Sequence, residues 1–354
     1  MLGSLFTLAT IAVSDTTPAP AFTVRVDERR HEVILRLGPF PLPCQEQEDE
    51  HAEGHEGMDH GHGPQLPSYR FAWPVSGWAR GFRVEISDPA GKPLSRRLLH
   101  HVNLSHLDRR SLTFPMFEKI MAAGQETDAV MLPKTVGVWI AQGTEMALSS
   151  MWTNETGEDL EGVVMELVLP YLPPNTVPRP TEVRPFSMDV GFRPGLTAGF
   201  DLDTGRVEFS REFEVAVDGR LLGIGGHMHD YGYAIELRDG ETGKVLVPLK
   251  GKLDPDGKLL GVSRKVLGAT GPGLRLRAGR RYVVVAKYHN TTGRRLKLGA
   301  MAAMAGIFTP DRPELWPALD KNDPVNVAEL EALGQNGWVT VPDAPAKSRV
   351  PKPH

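Results

Sequence analysis

The strongest constraint on this chain is a rhythm of short apolar alternations broken by turn residues. Phe22, Val24 and Val26 share one face of an extended segment, and Val33, Leu35 and Leu37 repeat the pattern in the next. A period of two marks a half-buried strand, because successive side chains point to opposite faces. Comparable runs recur at 81–87, 98–104, 136–152 and 162–169, and again at 206–217, 221–237, 244–249, 281–290 and 296–308. Turn pairs such as Asp239-Gly240 and Asp256-Gly257 separate them, in a chain with 37 glycines and 30 prolines. Many short strands at such spacing predict an all-β protein of two tandem antiparallel β-sandwich, jelly-roll-like domains. Only Phe117 to Ala123 reads as helix.

A length of 354 residues suits two domains. The first sandwich is expected over 22–175 and the second over 176–310, with a proline-rich linker near 170–185 and a proline-rich tail over 311–354. Residues 45–63 interrupt the first unit with an acidic, almost apolar-free loop carrying His51, His55, His60, His62 and Met58. Residues 1–21 read as a leader. The run Leu2 to Val13 is too short to span a bilayer, and with small residues at Ala12 and Ser14 it resembles the apolar region of a signal peptide. The expected location is secreted or periplasmic, with no integral membrane segment. A net charge of -4 leaves no basic footprint for nucleic acid. Cys44 is the only cysteine, which rules out an intrachain disulfide. Asn103, Asn154 and Asn290 each open an Asn-x-Ser/Thr triplet, a pattern too common to decide anything.

Histidines carry the candidate chemistry. His100 and His101 are adjacent, and His227 and His229 stand two apart, on one face of a strand. Two imidazoles so placed can meet on one metal, although cross-strand packing or surface exposure would also explain them. The loop histidines can capture Cu(II), Zn(II) or Ni(II), with Cys44 at the loop's edge, or can simply be solvated.

The segment His227-Met228-His229-Asp230-Tyr231-Gly232 fits His-x-His-x-x-Gly. Upstream lie Leu99-His100-His101-Val102 and Leu132-Pro133-Lys134-Thr135-Val136-Gly137, and downstream a run of small residues holds Met301 and Met304 before Phe308. Over 98–308 the chain resembles the copper type II ascorbate-dependent monooxygenases, which include peptidylglycine α-hydroxylating monooxygenase and dopamine β-monooxygenase. The resemblance implies two β-sandwiches, each holding one copper ion. It implies hydroxylation of a C–H bond of a small-molecule substrate, using O2 and ascorbate or another one-electron reductant. The catalytic copper would be held by His227, His229 and Met304, with Met301 the fallback, and the electron-transfer copper by His100 and His101. A thioether favours Cu(I), while imidazoles accept both oxidation states. Asp230 and Tyr231 are candidates for orienting the histidines.

The chain departs from the family at several positions. Where the third histidine of the electron-transfer copper belongs, Met151 stands in Ser150-Met151-Trp152, so the ligand set expected there is His100, His101 and Met151, a softer set that favours Cu(I). No histidine lies between His106 and His227, which leaves His106 as the one substitute. Gly225, Gly306 and Phe308 replace polar substrate contacts of the peptide-acting member, and the family's disulfides are absent. A glycine-extended peptide is therefore not the expected substrate. A non-catalytic periplasmic copper carrier on the same fold is the alternative, and a β-sandwich with purely structural histidines the third reading.

Overall fold

The computed structural model describes residues 21–44, 66–196, 198–269 and 271–342. It is 55% strand and 5% helix, an all-β architecture of packed antiparallel sheets. In the first half, the long strand Leu160–Leu172 organises an eight-stranded sheet, pairing with Glu32–Leu42, Gly81–Ser87 and Gly77–Ala79. A five-stranded sheet faces it, in the order Trp338–Thr340, Ser68–Ala72, Glu145–Trp152, Leu99–Arg110, Phe117–Gly124. Val33, Leu35, Leu37, Leu104, Leu148, Trp152 and Leu167 fill the space between, all fully buried. The alternating faces read from the sequence are those the sheets bury.

The second half repeats the plan. One sheet contains Arg184–Asp189, Ala302–Pro310 and Gly219–Met228; the other contains Gly205–Phe213, Tyr282–Asn290, Gly232–Asp239 and Val245–Leu253. Between them lies a separate core that includes Phe186, Met188, Leu221, Leu237, Val284, Tyr288 and Phe308. Nearly all pairings are antiparallel; Thr181–Glu182 on Val136–Ile140, and Trp338–Thr340 on Ser68–Ala72, are parallel.

The two halves share a turn. Asn154 donates to the Leu42 and Glu158 carbonyls at 2.8 and 2.9 Å, and its Oδ1 accepts from the Thr156 backbone and hydroxyl. Asn290 donates to the Leu202 and Arg294 carbonyls at 3.2 and 2.8 Å, and accepts from the backbone and hydroxyl of Thr292. Both asparagines are buried. The two Asn-x-Thr-Gly turns are thus structural pins, one in each sandwich, whose amides meet backbone groups that burial would otherwise leave unpaired.

Two local expectations are corrected. Residues 117–123 are not helix: Phe117–Gly124 is an edge strand paired with Leu99–Arg110. The helix-favouring Glu, Lys, Met and Ala residues there yield to burial of Phe117, Met121 and Ala123 against the sheet. The stretch after 310 is more than a proline-rich tail, since it contains the helix Pro324–Leu333 and the strand Trp338–Thr340. Asp323 caps that helix through the Val325 amide, Pro324 opens it and Gly334 follows it, an ordinary set of boundary signals. No helix among the described residues is long and apolar enough to cross a membrane. The leader and the loop bearing His51, His55, His60 and His62 lie outside the described residues.

Candidate metal centre

On the first-half sheet, Met151 is the cross-strand partner of His101, while Trp152 pairs with Leu99. One extra residue, His100, therefore interrupts the ladder as a β-bulge. In a regular strand adjacent side chains point to opposite faces; a bulge turns the extra residue toward its neighbour's side. The Nδ1 atoms of His100 and His101 stand 2.9 Å apart.

On the second-half sheet, His227 lies opposite Ala303, and the His229 amide donates to the Met301 carbonyl at 3.1 Å. That carbonyl also accepts from the Tyr288 hydroxyl at 2.6 Å, so the buried tyrosine braces the strand end. The His227 and His229 ring centroids are 5.5 Å apart. The His229 ring sits 5.4 Å from His100, edge to face. The two histidine motifs, remote in sequence, form one continuous cluster where the halves meet.

Glu126 joins this cluster, and nothing in the sequence marked it. It sits on a turn closed by the Thr127 hydroxyl, which accepts from the Gly124 amide at 3.0 Å. Its Oε1 is 2.6 Å from His227 Nδ1, with a side chain only 5% exposed. Burial pushes the Glu126 carboxyl up, but the charge and hydrogen bond of His227 outweigh it and hold it at about 2. Burial pulls His227 down, and Glu126 more than offsets this, so the imidazole is raised above its ordinary value. An ionised carboxylate only accepts hydrogen bonds, so His227 Nδ1 is the donor and Nε2 is the nitrogen left to face the cluster. Arg264 anchors the same loop, donating to the Asp128 and Ala129 carbonyls at 3.0 and 3.3 Å. Its aliphatic stem passes over Gly225, where a Cβ would lie 3.4 Å from it. Asp189 lies in the same row, opposite Ala303 and hence two strands from His227. Burial raises its carboxyl to about 6.

The methionines divide by face. Met151 shares the face of His101, and Met301 adjoins His229 through the backbone hydrogen bond between them. Met304 is not brought to the histidines. It pairs with Gly226, one residue out of phase with His227, and is fully buried in the core with Met228 and Met188. The side-chain period of two decides this, and it excludes Met304 as a ligand partner of His227 and His229. His106 is also excluded, being opposite Met146 about 20 Å along the strand from His100. Burial and then Arg109 hold its imidazole down at about 3. Asp230 does not orient the histidines: its carboxylate accepts from the Leu259 amide at 2.8 Å and pairs with Lys258 at 3.1 Å. The Tyr231 amide donates to Gly257. The backbone amide of Cys44 donates to Asp159 at 2.7 Å.

Among the described residues, no three His, Cys, Asp or Glu side chains already stand together as the ligands of one ion. The donor types nonetheless suit a copper ion: four imidazoles, two of them with nitrogens 2.9 Å apart, with the thioether of Met151 across from His101 and Met301 next to His229 in the backbone pairing. Nitrogens each about 2 Å from one ion at a right angle lie about 2.9 Å apart.

No family model matches the chain, and no curated protein matches it. Among solved structures it is similar to the STIV MCP, with a TM-score of 0.36 at 8% identity, covering 69% of this chain and 92% of that one. It is also similar to the major capsid protein P2 from bacteriophage PM2, with a TM-score of 0.34 at 12% identity, covering 71% and 96%. A third is peptide: N-glycanase F, with a TM-score of 0.34 at 9% identity, covering 69% and 89%.

Proposed function

We propose that the cluster of His100, His101, His227 and His229 is a copper centre, and that the protein is a copper-dependent monooxygenase of the secreted or periplasmic space. In this reading it hydroxylates a C–H bond of a small molecule with O2 and ascorbate or another one-electron reductant. The observation that carries the proposal is the 5.4 Å approach of His100 to His229, which joins the two motifs of the family resemblance. Bound copper supplies the one-electron and O2 chemistry. The chain's own residues supply the rest. Glu126 holds a proton on His227 Nδ1 and so fixes which nitrogen is presented. The β-bulge presents His100 and His101 together, and Tyr288 steadies the backbone from which His229 projects. Met151 and Met301, rather than Met304, are the thioethers within the reading.

A second reading, a non-catalytic copper carrier, draws support from those same thioethers, because soft ligands on both sides favour Cu(I) and its retention. Copper stoichiometry with ascorbate-driven O2 uptake separates the readings. Bound copper with O2 uptake that scales with a substrate supports the monooxygenase. Bound copper without uptake selects the carrier. No copper retained by the full chain overturns both.

A further inference from the structure

Beyond the histidines, the same sheet face continues into a small cavity of about 90 Å³, roofed by the helix Pro324–Leu333. We propose that this cavity binds a small zwitterion, a molecule carrying a carboxylate and an amine, as the substrate subsite of the neighbouring histidine cluster. The assignment of a substrate rests on the copper reading; the binding site itself does not.

Register places the cavity. Moving along the face from the His101–Met151 pair, the next cross-strand pair is Asn103–Ser149, about 7 Å on. On the neighbouring strand Ala122 stands beside Asn103, and Lys119 beside Ser105. Asn103, Ser149, Ser105 and Lys119 line the cavity from the sheet, and Glu329 lines it from the helix. Ala122 is exposed, so the path from His101 to the cavity runs beside a small residue open to solvent.

The lining combines these polar and charged side chains with Phe117, Leu196, Ala332 and Leu333. Ser105 is 1% exposed, and Asn103 and Ser149 beside it are half-buried. Lys119 has no carboxylate within ion-pair distance among the described residues. Glu329 uses Oε1 to accept from the Gly195 amide at 3.0 Å, which leaves its other oxygen for a ligand. One cation on the sheet and one anion on the helix, with neutral donors and acceptors between, match a ligand of opposite polarity end to end. A volume of about 90 Å³, in a cavity partly open to solvent, accommodates a ligand of roughly alanine size.

The test is calorimetric titration of the full-length, copper-free protein with alanine, propionate and ethylamine. Alanine should bind saturably, and propionate and ethylamine, each lacking one charge, should bind at least about tenfold more weakly. Lys119→Ala and Glu329→Gln should each weaken alanine by about tenfold, whereas His229→Ala should leave alanine binding unchanged. Since Glu329→Gln can loosen the Gly195 contact, Ser149→Val provides a second variant that fills the cavity without touching either charge; it should abolish binding with near-UV dichroism unchanged. Failure of alanine to saturate, or equal binding by Lys119→Ala, overturns the proposal. Alanine binding in a protein that retains no copper upholds the cavity while removing the copper reading. Copper retention without alanine binding does the reverse.

Discussion

The carboxylate of Glu126, on a turn of the first half, lies 2.6 Å from Nδ1 of His227, on a strand of the second. The contact is both a clamp between the halves and a choice of tautomer. Carboxylates that support a metal-binding histidine typically account for 10–100-fold in metal affinity. Glu126→Gln should therefore weaken copper binding by about 10-fold or more, and Glu126→Ala at least as much. Competition with a chelator of known copper affinity measures the change; equal affinity in all three proteins would remove Glu126 from the centre.

Met301 and Met304 should respond in opposite ways. Met304→Ala empties a fully buried core position and should destabilise the fold by about 2–5 kcal/mol, with copper stoichiometry unchanged in the folded protein. Met301→Ala, at a half-buried position whose carbonyl accepts from the His229 amide, should disturb stability less and weaken Cu(I) retention. Urea midpoints and Cu(I) competition on both variants give the comparison, and a Met304→Ala protein that folds normally but loses copper would reverse the assignment.

Met151 should tune the centre from the first half. Met151→His replaces a thioether beside His101 with an imidazole, so the potential should fall, because Cu(II) gains a favoured ligand. Because the histidine motifs form one cluster, His229→Ala should alter the copper bound near His100 as well, not only at its own motif. Redox titration and copper spectra of the variants report this. Independent behaviour of the two motifs would mean that they serve separate sites.

His106 predicts an acid-side loss of stability unrelated to metal. Burial, with Arg109 adding to it, holds its pKa at about 3, below the ordinary value of 6.5. The unfolded chain therefore takes up a proton between those values while the folded chain does not. The stability linked to neutral His106 is complete above about pH 6.5 and is lost as pH falls toward 3, by ~1.4 kcal/mol per pH unit. His106→Gln should remove this component, so the urea midpoints of the two proteins should move apart between pH 7 and 5. Parallel pH dependence would show that His106 titrates normally.

The twin asparagine turns predict a matched pair of effects. Asn154→Ala and Asn290→Ala each strip a buried amide from two backbone carbonyls, and should each lower stability by about 2–3 kcal/mol. Thermal unfolding monitored by tryptophan fluorescence and dichroism provides the check. A neutral result at either position would show that water replaces the amide there.

Much of the architecture is written locally. Alternation at Val33, Leu35 and Leu37 specifies a buried strand face because side-chain direction has a period of two, and the turn residues set where strands end. The i, i+2 spacing likewise places His227 and His229 on one face before any partner is known. Asp323-Pro324 and Gly334 are also boundary signals for the one α-helix among the described residues, though short of the apolar periodicity that announces one. What the sequence does not contain is register. Whether Met301 or Met304 shares the face of His227 depends on which residue of Ala302–Pro310 stands opposite it, and a shift of one exchanges the answers. The bulge that turns His100 toward His101 exists only relative to the strand bearing Met151. Glu126 has no signal of its own, since a carboxylate on a turn becomes a histidine's partner only when two sheets dock. Local propensity and periodicity are properties of neighbours along the chain, so the sequence by itself determined the strands, their faces and the histidine pairs; bringing His100 to His229 and Glu126 to His227 required long-range packing of the two halves, and only the tertiary structure decided it.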